Sequence, residues 1–457
     1  MRAARPFFQA LPFLAIAALG CVEPLQNGGV TIVGDPAQRL GVLCRFHQND
    51  EAFCARDKAD AKGARARRIA KAEDGLRGSF ASGRAGDYVL ENGDVAIVIG
   101  QPGDPKRGGA ILDAGDATAR VDALGEVIAS LGGAEDAAVY ETVVTGAGNE
   151  GAAYVEAQGH AAASPTIRIT TRYELAPGAR AVTITTTVLT TGADPISGID
   201  LADVIVWGGA KSGAPEAPRA PEPAADAAAA APVASAPPAA TSAPIAATAP
   251  AATAAPIATT APAVTAAPAN SATPIAPAAA RTAPYLFGVG DHVAYAIVRD
   301  GEPFAFRDDA LTSVAVMDHG VTLAPSKPVT YSRALVIAAR GDTAAIATEL
   351  FYLAGGSPGG VEIGLAAADP SATTDPGAGK ILLRRAPGDA PPPLADPPSL
   401  WFVRTADAPA GGELAPGKYT ARFEGPRASS AEVPFEVTAG NVTRIVLKIA
   451  PAAADPH

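Results

Sequence analysis

The sequence predicts an all-β protein: a large antiparallel β-sandwich interrupted by a disordered Pro/Ala-rich insert, followed by a small β-sandwich. Three observations carry this expectation. From about residue 76, short runs rich in Val, Ile, Thr and Tyr alternate apolar with polar side chains, the period of a half-buried strand. These runs follow one another through Gly, Pro and Asn turns with no helix-length segment between them, so a meander is expected rather than a βαβ rhythm. Between Asp226 and Arg281 there is no charged residue, and Pro232, Pro238, Pro244, Pro250, Pro256, Pro262, Pro268 and Pro274 recur every six residues.

The large sandwich is expected over 76–209 and 285–340. "DYVLENGDVAIVIG" (87–100) reads as two strands joined at Asn92-Gly93, a strong hairpin signal. "TIRITTRYEL" and "RAVTITTTVLT" flank the turn "APG" (176–178). Their alternation puts Ile167, Ile169, Val182 and Ile184 inward and a Thr/Arg face outward. Trp207 and Trp401 each border an apolar strand and are expected in the core. The insert, 210–284, has no apolar bulk to bury and favours extended polyproline II. Thr beside Pro fits an O-glycosylated stalk, and a neutral repeat expansion in a permissive loop is the favoured reading. A connecting helix is expected over 341–356, with Asp342 at its start and Gly355-Gly356 as its stop. Short strands from Gly360 to about residue 450 form the small sandwich.

The N-terminus has the texture of an export signal. Arg2 and Arg5 precede the apolar "PFFQALPFLAIAALG" (6–20), which is shorter than the roughly 20 residues that span a bilayer as a helix. "ALGC" resembles a bacterial lipobox, with Ala18 and Leu19 in swapped order. That resemblance implies a signal peptide over 1–20 and lipidation of Cys21, hence a membrane partner through the lipid. Val22 rather than Asp after Cys21 points to the outer membrane. Residues 21–75 read as a polar leader or tether, with Lys and Arg crowded over 56–71. Cys44 and Cys54 remain as an even pair for a disulfide in an exported chain. The rival reading is a metal site through His47, as C-x2-H-x6-C; no fourth ligand is evident and zinc sites usually show tighter Cys pairs, so no metal is expected.

Composition narrows the function. The 457 residues carry a net charge of −11, with 18% charged and 5% aromatic residues. An acidic chain does not suit a general nucleic-acid binder, which needs a basic surface for phosphates. No G-x-S-x-G and no P-loop occurs, and the Gly/Asp-rich "GQPGDPKRGG" has turn chemistry without calcium-loop spacing. No cofactor is implied. Among five histidines, His292 and His319 both follow Asp and are the ligand candidates, to be tested for convergence in the fold.

Two resemblances extend this reading. "GDYVLENGDVAIVI", "GGAILDAGD", "YELAPGARAVTITTTV" and "VTYSRALVIA" resemble the N-terminal β region of exported PHP-type metallohydrolases, itself similar to the galactose-mutarotase-like β-supersandwich. Such relatives carry a metal-binding hydrolase domain after it, and nothing of that kind follows here before His457. Leu414, Pro416, Gly417 and Tyr419, with "TAGNVTRIVLKI" after them, resemble the carboxypeptidase regulatory-like, or prealbumin-like, sandwich. These resemblances imply a non-catalytic envelope module for binding or scaffolding, with a glycan or an envelope protein as partner. An epimerase- or lyase-like enzyme acting on carbohydrate, or the non-catalytic half of a split metallohydrolase, are the alternatives. Metabolic labelling with a fatty acid is expected to tag the wild type and not Cys21→Ser; an unlabelled, fully soluble wild type refutes the anchor.

Overall fold

The computed structural model describes residues 63–451, apart from 105–106, 134–135, 216–280, 300–302, 310, 370–375, 388, 390–391 and 405–409. Cys21, Cys44, Cys54 and His47, and most of the proline-repeat insert, lie outside the described residues. The strands are β1 (Arg65–Arg68), β2 (Tyr88–Glu91), β3 (Val95–Ile99), β4 (Ile111–Asp116), β5 (Glu126–Ser130), β6 (Ala138–Ala147), β7 (Ala153–Ala161), β8 (Ile167–Leu175) and β9 (Ala181–Thr190). They continue as β10 (Ile196–Val206), β11 (Lys211–Gly213), β12 (Arg281–Ala283), β13 (Tyr285–Val289), β14 (Ala294–Arg299), β15 (Phe304–Asp309), β16 (Thr312–Leu323) and β17 (Val329–Ala338). Helix α1 (Thr343–Leu353) follows. The last group is β18 (Gly359–Ala367), β19 (Gly379–Arg385), β20 (Leu400–Arg404), β21 (Ala410–Leu414), β22 (Gly417–Glu424), β23 (Ala428–Ser430), β24 (Val433–Val437) and β25 (Val442–Pro451).

Among the described residues these strands form three sheets. The first has the order β1-β2-β3-β4-β5-β10-β16-β15-β12, and the second β11-β13-β14-β17-β9-β8-β7-β6. The third runs β20-β19-β22-β23-β25-β18-β21, with β24 against β22. Ladder pairings are antiparallel except for β18 with β25, the first and last strands of the third sheet. The expected all-β class holds, and the architecture is that of stacked sheets with one linking helix.

The first two sheets stack face to face. Their interface is largely apolar, and a buried ion pair lies at the centre of its polar contacts. Arg333 on β17 is 1% exposed and Asp203 on β10 is fully buried. The Arg333 Nε and Nη2 donate to the two Asp203 oxygens at 2.6 and 2.5 Å, a bidentate fork across the sandwich. Nη1 donates to Thr186 Oγ1 at 2.5 Å, Thr186 and Thr171 hydroxyls meet at 3.0 Å, and Thr171 meets the Tyr140 hydroxyl at 2.6 Å. The Tyr331 ring lies 4.7 Å from the guanidinium. Other tyrosines also reach across. Tyr331 donates to the Ala202 carbonyl, Tyr173 to that of Gly109 and Tyr295 to that of Ala114.

This network alters the expected Thr/Arg outward face. Thr171 and Thr186 follow Ile169 and Ile184 on the inward side, because they share the period-2 positions. The Asn92-Gly93 hairpin exists, with its turn moved by one residue. Asn92 N donates to Val95 O at 3.0 Å, so Gly93-Asp94 forms the loop. The Asn92 carboxamide oxygen takes the Asp94 and Val95 amides, and its Nδ2 donates to the Ala176 and Ala179 carbonyls at 2.8 and 2.9 Å. Asn92 therefore ties a hairpin of the first sheet to the β8–β9 turn of the second.

Two expected boundaries shift. Residues 65–68 of the leader form β1 against β2, where Arg65, Arg67 and Arg120 surround the buried Glu91 carboxylate. Two arginines of a basic stretch that reads as a solvated spacer, Arg65 and Arg67, pair with one internal carboxylate. Residues 211–213 and 281–283, placed in the insert at 210–284, are strands on β13 and β15, so the chain leaves and re-enters at the edges of two different sheets.

Helix α1 begins and ends as expected. Asp342 accepts the Ala345 amide at 2.7 Å. At the other end Gly355 takes φ 77°, Gly355 N donates to Tyr352 O and Gly356 N to Phe351 O, the double bond of a Schellman stop. One side of α1, with Ile346, Leu350 and Leu353, packs on Tyr285, Ala296, Val298 and Val336 of the second sheet. Ala344 sits in the core of the third sheet with Val361, Phe402 and Leu414. In that sheet Tyr419 donates to Ala415 O at 2.7 Å, a tyrosine corner built from the "LAPGKY" residues.

Arg333→Met alone leaves Asp203 buried and unpaired, so a loss of about 3–5 kcal/mol in urea unfolding is expected. Arg333→Met with Asp203→Leu is expected to recover most of that loss. A single variant as stable as wild type refutes the role of the pair.

Candidate functional site

The candidate ligand histidines do not converge. His292 is exposed in the β13–β14 turn of the second sheet. His319 lies on β16 of the first sheet, 70% exposed, with Nδ1 2.6 Å from Asp200 Oδ1. Each occupies a solvent-facing position, and no shared cleft with a carboxylate forms between them. Among the described residues no group of three or more His, Cys, Asp or Glu is arranged to hold a metal ion. No described helix is long and apolar enough to cross a membrane.

Two other arrangements carry chemistry. The first is a surface. Helix α1 covers the outer side of β13, β14 and the end of β17, and leaves that of β6–β9 and the start of β17 open. Strand register sets the side chains there in rows. One row runs Thr142, Gln158, Thr170, Thr187, Thr330, and the next Val144, Glu156, Arg172, Thr185, Ser332. Cross-strand spacing of about 4.8 Å and an along-strand repeat of about 7 Å follow from sheet geometry. Thr187 and Thr330 hydroxyls meet at 3.0 Å, and Thr185 and Ser332 at 3.2 Å. The Arg172 guanidinium stacks 3.6 Å from the Tyr154 ring centroid and pairs with Glu174 at 2.8 Å. At the far edge Glu141 takes Arg168 at 2.9 Å, with His160 Nε2 at 3.7 Å. The result is a flat array of hydroxyls and fixed planar groups, which suits the edges and faces of an extended polar chain.

The second is a group of carboxylates beside β4 and β5. Asp113 accepts the Ser82 and Gly83 amides and the Ser82 hydroxyl, and Arg107 donates to Ser82 O and Oγ at 2.9 and 2.6 Å. Burial raises the Asp113 carboxyl against those hydrogen bonds. Asp122 Oδ1 takes the Ala114 and Leu124 amides and the Tyr295 hydroxyl, and its Oδ2 has no hydrogen-bond partner among the described residues. Burial, with a further contribution from the nearby Asp113 charge, pushes Asp122 up to about 7. Burial also pushes Glu126 up to about 7; Arg107 opposes that shift and Asp104 adds to it. No local motif in the sequence marks these residues, because their displacement comes from what covers them.

The two tryptophans diverge. Trp207 is buried, and its indole N–H donates to Ser313 Oγ at 2.8 Å. Trp401, expected in a core, faces outward on the third sheet with the Lys380 ammonium 4.1 Å from its ring centroid. Its neighbour Phe402 takes the inward position.

No family model matches the chain, and no curated protein matches it. Among solved structures it is similar to the GH36 alpha-galactosidase AgaB of Geobacillus stearothermophilus, at 10% identity and a TM-score of 0.32, covering 58% of this chain and 42% of that one. The galactosidase domain of the alpha-galactosidase-sucrose kinase AgaSK gives 9% identity and a TM-score of 0.32, over 61% of this chain and 45% of that one. A TPR-domain containing protein from Parabacteroides distasonis gives 8% and 0.30, over 56% and 48%. The chain thus spans less than half the length of each, and likenesses of this size carry no argument about its activity.

Asp122 sets a pH dependence. With a native pKa of about 7 and an ordinary value of 3.8 unfolded, the unfolded chain holds fewer protons between those limits. Stability from this group therefore falls as pH rises from about 4 to 7 and levels above, by about 4 kcal/mol at full extent. Asp122→Asn is expected to flatten that slope and raise the melting midpoint at pH 8. An unchanged profile in a pH series of thermal melts refutes the assignment.

Proposed function

We propose that this chain is a non-catalytic cell-envelope lipoprotein, held to a membrane through acyl chains on Cys21, that presents its β-sheets to a glycan. The observation that carries this reading is the open outer face of β6–β9 and β17. There, hydroxyl rows and the Arg172–Tyr154 stack lie on a sheet with no helix over them among the described residues. Glycans are recognised by dense hydroxyl and amide hydrogen bonding together with planar groups against sugar rings, and both are present on this face. A sheet also holds such groups more firmly than a loop does. The signal-like N-terminal sequence and Cys21 support a location at the envelope.

The test is a panel of cell-wall and capsular glycans applied to the full chain. Binding by the wild type is expected, and Arg172→Ala with Tyr154→Ala is expected to weaken it by roughly tenfold, the loss of one stacked, charge-assisted contact. Both side chains are partly exposed on an outer face, so the fold is expected to persist in circular dichroism. Absence of binding to every glycan, with an envelope protein co-purifying instead, overturns this reading in favour of an assembly role.

A further inference from the structure

We propose a second, separate binding site: the outward face of β20, β19 and β22 takes an acidic polysaccharide whose carboxylates are received by Arg384 and Arg422. A concavity of 190 Å³ opens on this face. Leu382 and Thr420 face it, Ser399 and Glu432 stand at its rim, and Leu383 and Leu400 beneath it turn inward to the core. Register places Arg422 beside Leu382, which in turn lies beside Trp401, and sets Arg384 beside Thr420.

Charge points to the ligand. The chain as a whole is acidic, at −11, yet this face gathers Lys380, Arg384 and Arg422 against Glu424 and Glu432, an excess of one positive charge. Arg384 is exposed and has neither a hydrogen-bond nor an ion-pair partner among the described residues, while most other described arginines here are spent on carboxylates. Arg422 is held by Glu424 at 2.6 Å, half-exposed and still able to present its free N–H groups. Lys380 lies over Trp401 and adds a third positive charge at the same edge. A planar guanidinium matches a carboxylate through two parallel hydrogen bonds. The small volume suits one sugar ring, being below the roughly 300–1,000 Å³ of pockets for drug-sized ligands, and Leu382 offers that ring an apolar contact. Ser399, Thr420 and Glu432 supply partners for ring hydroxyls. A ring seated here leaves the polymer free to continue over the sheet. This inference does not depend on a glycan binding the second sheet.

The probe is a homogeneous oligogalacturonate, titrated against the full chain and followed by tryptophan fluorescence. Trp207 is buried away from this face, so a change reports on Trp401. The same oligomer as its methyl ester keeps every ring and removes the charge. Saturable binding of the acid is expected, with the ester roughly tenfold weaker or worse. Arg384→Ala is expected to weaken the acid by a similar factor without shifting the melting midpoint, and Arg172→Ala is expected to leave it unchanged. Equal binding of acid and ester, or an Arg384→Ala/Arg422→Ala double variant that binds as wild type, overturns the proposal. Loss of binding in Arg172→Ala with retention in Arg384→Ala would move the acidic ligand to the second sheet and overturn it as well.

Discussion

A guanidinium and a carboxylate facing each other inside a sandwich constrain everything around them. Removing Arg333 and Asp203 from water costs several kcal/mol per ion, and only a complete set of partners offsets that. The bidentate fork supplies part of it, and Thr186, Thr171 and Tyr140 extend the polar path through the second sheet. Desolvation raises the Asp203 carboxyl while the Arg333 charge pulls it back. The pair also fixes register. Sliding β10 or β17 by one residue turns each charged side chain to the opposite face and leaves its partner buried alone. The first two sheets are thereby held in one alignment, and the rows of side chains on their outer faces inherit it.

Helix α1 converts that alignment into usable surface. It buries one side on the second sheet and places Ala344 in the core of the third. Its polar residues stitch the join. Asp342 caps the helix and takes Arg340, while the Thr343 hydroxyl donates to Ser399 O and accepts from Trp401 N. Because α1 is only 11 residues long, it covers β13, β14 and one end of β17 and no more. The uncovered strands keep their Thr, Arg and Tyr in solvent. The same contacts fix the start of β20, which orients Trp401 and the edge of the basic face.

Local rules account for what was legible beforehand. Alternation identified the strands of 167–190, and the Asp342 and Gly355-Gly356 signals located the helix, because capping and pleating are decided within a few residues. The "LAPGKY" element was legible for the same reason, since the Tyr419 hydroxyl bonds a carbonyl only four residues upstream. Long-range partners were not legible. Arg65 and Arg67 read as a solvated spacer because Glu91 lies more than 20 residues away. Arg333 sits in an ordinary strand pattern, and its carboxylate is 130 residues distant. Thr171 and Thr186 look like surface threonines until their parity with Ile169 and Ile184 is followed through the pleat. His292 and His319 looked alike in sequence, each after an Asp, and the topology sends them to different sheets.

Chain-local signals carry the all-β class, the helix and its ends, and the alternation that produces an inside and an outside. Each is a matter of neighbours along the chain, where backbone geometry acts over two to six residues. Only the tertiary structure decided which polar residues are spent internally and which remain available. Arg333 and Asp203 neutralise each other across the sandwich, Glu91 absorbs three arginines, and Asp122 is held near neutrality by burial. Arg172, Arg384 and Arg422 stay at the surface. Desolvation and pairing depend on which strands meet, and that is set by the stacking of sheets rather than by any residue's immediate neighbours.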